Sequence, residues 1–297
     1  MSSASPLFTV IVPVYNRVDE LRRALASLQA QTLEDFECLV VDDGSTQPIK
    51  PTVDEFDDRF VYVSSPQNRG CTAARFLGFE HAHGQIVAQL DSDNEFFPWA
   101  LERASHYLHQ YPQVNAVAGL YLFPEGLRVR VNDGVRVVGP DEYAARSLQT
   151  DDSVGVVRRS IAEEWLQMRR YSNFDFVLWL RLRLSHSLVL VDEPWGRYDT
   201  AGSDRISLKR DPRELSDIET FVEEFRPLIA SNACGPIDWM LSRMWLRLIR
   251  GGRRDTAALV ADWMCERGVR RHNVLRQEIV RRTRRRLTPS AFDPHVL

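Results

Sequence analysis

Two carboxylates, Asp91 and Asp93, stand one residue apart in "VAQLDSDNEFFP", residues 87–98, directly after an apolar run. Residues 86–90 read as a short buried strand, so Asp-Ser-Asp is a strand end. Two like charges this close are costly unless a cation, hydrogen bonds or water offset them. A solvated turn is one solution, since Asp, Ser and Asn favour turns. A hard cation is another. Magnesium and manganese take oxygen ligands from one or two carboxylates plus substrate phosphates. On that reading the aspartates meet a metal–diphosphate and not each other.

Two further polar stretches follow apolar runs in the same way. One is Pro13-Val14-Tyr15-Asn16, and the other is Asp42-Asp43-Gly44-Ser45. In open parallel sheets ligands bind at the carboxyl ends of strands, so three such ends can build one site. No G-x-G-x-x-G follows the first run, which counts against a dinucleotide site. No G-x-x-x-x-G-K-[ST] occurs, which excludes a P-loop.

The elements that must carry these ends are legible as alternation. Residues 7–14, 36–42, 59–64, 85–91 and 114–123 are apolar and β-branched, as strands covered on both faces should be. Helices are expected over 19–31, 70–84 and 98–111; Leu21, Ala24, Leu25 and Leu28 mark one helical face. The pattern predicts an α/β fold with a mostly parallel sheet and right-handed crossovers. Farther on, "NDG" at 132–134 signals a hairpin. Helices are expected at 141–148, 160–168 and 174–187, and strands at 154–159 and 188–194. After about residue 210 strand patterns stop. Apolar stripes such as Ile218, Phe221, Val222, Phe225 predict an α-helical C-terminal subdomain.

The quoted motifs closely resemble the family 2 glycosyltransferases of the GT-A fold. They are "TVIVPVYNR", "ECLVVDDGST", "NRGCTAAR" and "AQLDSDN", followed by "FDFVLWLRL" and "VDEPWGRYDTAGSDRIS". The resemblance runs over about residues 7–208, in the family's order and spacing, and implies a catalytic domain at 1–208. Residues 209–297 are not covered and form the helical, Arg-rich remainder. The family implies transfer of a sugar from a nucleotide-diphosphate donor with inversion at the anomeric carbon. It implies that Tyr15 stacks on the base, with the backbone near Pro13 and Val14 at its edge. Asp42 matches the carboxylate that hydrogen-bonds the base, and Arg75 the arginine near base and diphosphate. Asp91 matches the ribose contact, with Ser92 beside it, and Asp93 the metal ligand. The general base falls on Asp175, although the Glu that usually precedes it is Phe174 here. Where the family often has a metal-binding His, this chain has Asp199 in "RYDTAGSDRIS", with Asp204 a competitor.

That chemistry is coherent on its own terms. A nucleotide diphosphate leaves easily only when its developing charge is neutralised, and manganese or magnesium does that. The acceptor hydroxyl has a high pKa, so a carboxylate must take its proton as it attacks. UDP is the expected nucleotide, with dTDP and GDP open. The acceptor is a polysaccharide, a lipid-linked glycan, a peptide or a small natural product. Two other functions fit parts of the pattern. A nucleotidyltransferase of related fold would show a Gly-rich basic loop after the first strand, and "VYNRVDEL" has no Gly. A non-catalytic nucleotide-sugar-binding protein is the other, and sugar release from a donor discriminates it.

Composition sets the surroundings. The 297 residues are 44% hydrophobic and 10% aromatic, enough for a sizeable core. Net charge is only −3, yet residues 243–286 hold fourteen arginines against four acidic residues. No nucleic-acid motif accompanies them, so contact with an anionic membrane surface is the better functional expectation, beside a solvated helical face. The four cysteines are far apart, which argues against a zinc site or disulfide framework. No apolar stretch reaches about 18 residues and the N-terminus lacks a basic leader, so a cytoplasmic protein is expected.

Overall fold

The computed structural model describes residues 5–124, 126, 134–139, 153–167, 182, 185–199, 242, 245–246, 248–249, 252 and 254–266. Two compact units divide the chain: Met1–Gly139 with Gln149–Lys209, and Pro140–Leu148 with Arg210–Leu297.

The first unit is built on one sheet. Strands β1 (Phe8–Val14), β2 (Phe36–Asp42), β3 (Phe60–Ser64) and β4 (Ile86–Gln89) run parallel in the order β3-β2-β1-β4. Every residue of β1 is buried, because helices cover both of its faces. Val10 and Val12 join a core with Leu21, Leu25 and Leu28 of α1 (Val18–Gln29). Ile11 points the other way, against Gly78 of α3 (Cys71–His81), where a methyl group would fall 2.5 Å from its side chain. The alternation of strand side chains thus assigns each face its helix. A short α2 (Lys50–Val53) lies between β2 and β3.

The second half of the unit reverses direction. Strand β8 (Ser153–Arg158) lies antiparallel between β4 and β6 (Ala116–Leu122). Strand β9 (Leu188–Arg197) returns parallel to β6, and takes β5 (Glu95–Phe96) and β7 (Val135–Val138) as antiparallel partners. Helices α4 (Ala100–Gln110) and α5 (Arg159–Leu166) pack on this part. The α/β class expected from the sequence holds, and the sheet is mixed. Apolar alternation reports that a strand exists but not which way it runs. β5 is only two residues long, too short for a pattern to announce it.

Trp195 of β9 is fully buried and lies over Gly119 of β6, where a Cβ would stand 2.2 Å from its ring. Only a residue without a side chain lets the indole reach that depth.

In the second unit, α6 (Arg254–Glu266) buries Ala257, Val260, Ala261 and Met264, one face at helical spacing. No helix among the described residues is long and apolar enough to cross a membrane.

Candidate active site

The ends of β1 and β2 are level, because Val14 pairs with Asp42 in the register. Strand β4 stops at Gln89, opposite Ile11, and the Leu90 N–H still donates to the Ile11 carbonyl at 3.0 Å. Continuing that register brings Asp91 level with Pro13. The three polar strand ends therefore meet on one edge of the sheet.

Tyr15 leaves β1 with 42% of its surface exposed, although tyrosine this close to a core is usually covered. The next residue explains the turn. Asn16 has φ 54°, a left-handed conformation that Asn adopts more readily than most residues. There its Oδ1 accepts the N–H groups of Thr46 (2.8 Å) and Gln47 (3.1 Å) and the Thr46 hydroxyl (3.1 Å). Its own N–H donates to Ser45 Oγ at 3.0 Å. The loop carrying Tyr15 is thereby fastened to the loop after β2.

Both carboxylates of the second strand end are buried. Asp42 Oδ1 accepts the Ser45 N–H at 2.9 Å and Oδ2 accepts the Tyr62 hydroxyl at 2.7 Å. Burial first, and then Asp42, push the Tyr62 hydroxyl up to about 12. Asp43 accepts the N–H groups of Arg69 (2.9 Å) and Gly70 (2.6 Å). Burial raises its carboxyl, and those two amides oppose the shift. Asp43 thus ties β2 to the start of α3, and α3 carries Arg75.

Arg75 is only 6% exposed, and its Nη2 donates to Asp91 Oδ1. Ser92 is buried. Arg17, the residue before α1, donates from Nη1 to Asp93 Oδ2. Burial raises the Asp93 carboxyl, the negative charge of Asp91 adds to that, and Arg17 opposes both. Asn94 Oδ1 accepts the Asp199 N–H at 3.1 Å, so Asp199 joins the group through its backbone. The Asp199 carboxylate accepts Arg23 Nη2 at 3.0 Å. Tyr121 closes the floor. It is buried, and burial, followed by the charge of Asp91, raises its hydroxyl well above the usual tyrosine value.

The structure therefore gathers Pro13, Val14, Tyr15, Asp42, Arg75, Asp91, Ser92, Asp93 and Asp199 along one edge. Asp175, Phe174 and Asp204 lie outside the described residues. Sequence reading placed Asn16 and Asp43 in the polar strand ends and Asn94 in a quoted motif but gave none of them a role, and it missed Arg17 and Arg23. Asn16 carried a usable signal, an Asn directly after a strand and before a helix. The two arginines carried none, since their partners are remote in the chain.

A hard divalent cation matches the donor chemistry of Asp91 and Asp93. Among the described residues no group of three His, Cys, Asp or Glu is positioned to hold one. Such a cation would depend on phosphate oxygens to complete its shell, as magnesium sites commonly do.

Residues 9–156 match the model of Glycosyl transferase family 2. The chain belongs to that family. The matched span carries Tyr15, Asp42, Arg75, Asp91 and Asp93, and it ends before Asp175 and Asp199. An uncharacterized glycosyltransferase of Rickettsia felis is 41% identical over 96 residues, 32% of this chain and only 16% of that protein. Staphylococcus aureus TarS 1–349, solved in complex with UDP-GlcNAc, superposes with a TM-score of 0.65 at 17% identity, covering 82% of this chain and 72% of that one. The mannosyltransferase PcManGT of Pyrobaculum calidifontis, solved with GDP-Man and Mn2+, gives 0.57 at 18%, covering 87% and 74%. At these identities the likeness is one of fold, and the fold of this family 2 member is GT-A.

Proposed function

We propose that this family 2 protein is an inverting glycosyltransferase that moves a sugar from a nucleoside-diphosphate sugar to an acceptor hydroxyl. The observation that carries the reading is the meeting, at level strand ends, of an exposed aromatic ring and a carboxylate pair held by arginines. Tyr15 stacks on the base, the backbone of Pro13 and Val14 lines its edge, and Asp42 accepts a hydrogen bond from it. Asp91, held by Arg75 and flanked by Ser92, receives the ribose hydroxyls. Asp93 would hold manganese or magnesium, with Asp199 a further carboxylate that would serve as a ligand. The bound cation supplies neutralisation for the departing diphosphate. Asp175 takes the acceptor's proton as its oxygen bonds to the anomeric carbon and the bond to the diphosphate oxygen breaks. That single displacement inverts the carbon. The donor class is supported by the UDP-GlcNAc and GDP-Man held by the two fold neighbours, and UDP is favoured. The basic C-terminal part is assigned to contact with the inner face of the membrane, where lipid-linked acceptors lie.

Titration calorimetry of UDP, GDP and dTDP tests this, with manganese and again with EDTA. UDP should bind at least tenfold more tightly with manganese, and Asp93→Ala should remove that dependence. Equal affinity under both conditions removes the metal bridge. Failure of all three nucleotides to bind removes the donor reading.

A further inference from the structure

We infer that Tyr62 is a positioning residue for base selection: its hydroxyl holds the Asp42 carboxylate as an acceptor for a base that carries a ring N–H, which uracil, thymine and guanine have and cytosine and adenine lack. This rests on the donor reading given above, in which Asp42 meets the base.

The sheet sets the geometry. In the β2–β3 register Tyr62 pairs with Val40 and Ser64 pairs with Asp42. Tyr62 therefore stands one pair below Asp42 on the same face of the sheet, and its phenol reaches along that face to the strand end. The hydroxyl donates to Asp42 Oδ2 at 2.7 Å, and the Ser45 N–H, from the turn after β2, donates to Oδ1 at 2.9 Å. Each oxygen is held from a different element, so the carboxylate cannot rotate without losing a hydrogen bond. Burial and then Asp42 push the Tyr62 hydroxyl up to about 12, so it keeps its proton, and remains a donor, at neutral pH.

Asp42 differs from the other carboxylates of this edge. Asp91, Asp93 and Asp199 each pair with an arginine. Among the described residues Asp42 meets only neutral donors, and it is 5% exposed. Its charge is thus oriented without being cancelled. A carboxylate offers about four acceptor sites, and the two donors leave room for a third. Val14 pairs with Asp42, and Tyr15 follows Val14, so a base lying on Tyr15 turns its edge toward that carboxylate. A ring N–H there makes a charge-assisted hydrogen bond. A bare ring nitrogen presents a lone pair to the same charge and is repelled. Without the Tyr62 hydroxyl, Oδ2 loses its anchor and this discrimination loosens, while stacking and the diphosphate contacts stay as they were.

The test is calorimetry with Mn2+ on the full chain, comparing UDP with N3-methyl-UDP, in which a methyl group replaces the ring proton. The wild type should bind UDP at least about tenfold more tightly, the scale of a hydrogen bond to a charged group. Tyr62→Phe keeps the ring and removes the hydroxyl. It should lower that ratio to about twofold, chiefly by weakening UDP. Tyr62→Met, free of a hydroxyl and different in shape, should give the same ratio; thermal unfolding reports that both variants are folded. In an Asp42→Asn background Tyr62→Phe should no longer change the ratio, because Tyr62 acts through the carboxylate. If Tyr62→Phe weakens both ligands equally, or neither, Tyr62 serves the fold alone and the inference fails while the donor reading stands. If the wild type binds both nucleotides equally, the base is not read at Asp42 and the inference fails. If the wild type binds neither, the donor reading itself fails.

Discussion

Carboxylates do two kinds of work in this protein. Asp42 and Asp43 are buried and tie backbone together: Ser45, Arg69 and Gly70 give them their N–H groups, and the proposed contact of Asp42 with the base adds to that role. Asp91, Asp93 and Asp199 each meet an arginine instead, so that their charges are balanced while the edge of the sheet stays open to a ligand. The base assigned from sequence, Asp175, lies outside the described residues and can be tested directly. Asp175→Asn keeps the shape and removes the basicity. Donor affinity should change little while turnover falls roughly 10²–10⁴-fold, the usual scale of a general base. Calorimetry and initial rates on the same preparation check it. Near-normal turnover would reject Asp175 as the base, and loss of nucleotide binding would move it to the diphosphate site.

Among the elements, the joint between β6 and β9 is the least forgiving. The Trp195 ring rests on Gly119 and also stacks near Tyr107 of α4, with ring centroids 6.1 Å apart. Gly119→Ala drives a methyl group into that fully buried ring. Overpacking of this kind costs about 1–3 kcal/mol. Urea denaturation should show a lower midpoint with an unchanged slope. Gly139→Ala is the control: among the described residues its new Cβ would meet Ser187 Oγ at 3.7 Å, an ordinary contact, and stability should stay near that of the wild type. Equal effects at the two positions would mean that the core around Trp195 is looser than its burial indicates.

Taken as a whole, the chain is divided in charge as well as in structure. The motifs that the sequence reading assigns to the donor site end near residue 208, while residues 270–297 carry eight arginines and two acidic residues. A basic segment gains about 1 kcal/mol per arginine near an anionic bilayer, and salt screens the gain. Removing residues 270–297 should therefore weaken sedimentation with phosphatidylserine vesicles and remove its salt sensitivity. Calorimetry should find nucleotide affinity unchanged. A folded truncation that loses nucleotide binding would place part of the donor site in the tail.

Much of the sheet was legible because its information is local. Residues 8–14, 36–42 and 60–64 are apolar over the length of a strand, and Leu21, Ala24, Leu25 and Leu28 recur at the helical period, so pattern alone located these elements within a residue or two. The polar strand ends were legible for the same reason: Tyr15, Asp42, Asp91 and Asp93 each follow an apolar run. Direction was not legible. The antiparallel entry of β8 between β4 and β6 joins segments far apart in the chain, and no residue of either announces the other. Side-chain partners were equally hidden. Nothing in the chain around Arg17 points to Asp93 until folding brings the two together, and Asp43 reads as a turn residue until Arg69 and Gly70 close on it. A residue's neighbours in the chain determine its backbone preference and whether it is buried. Which charge it meets depends on the topology that brings distant segments together.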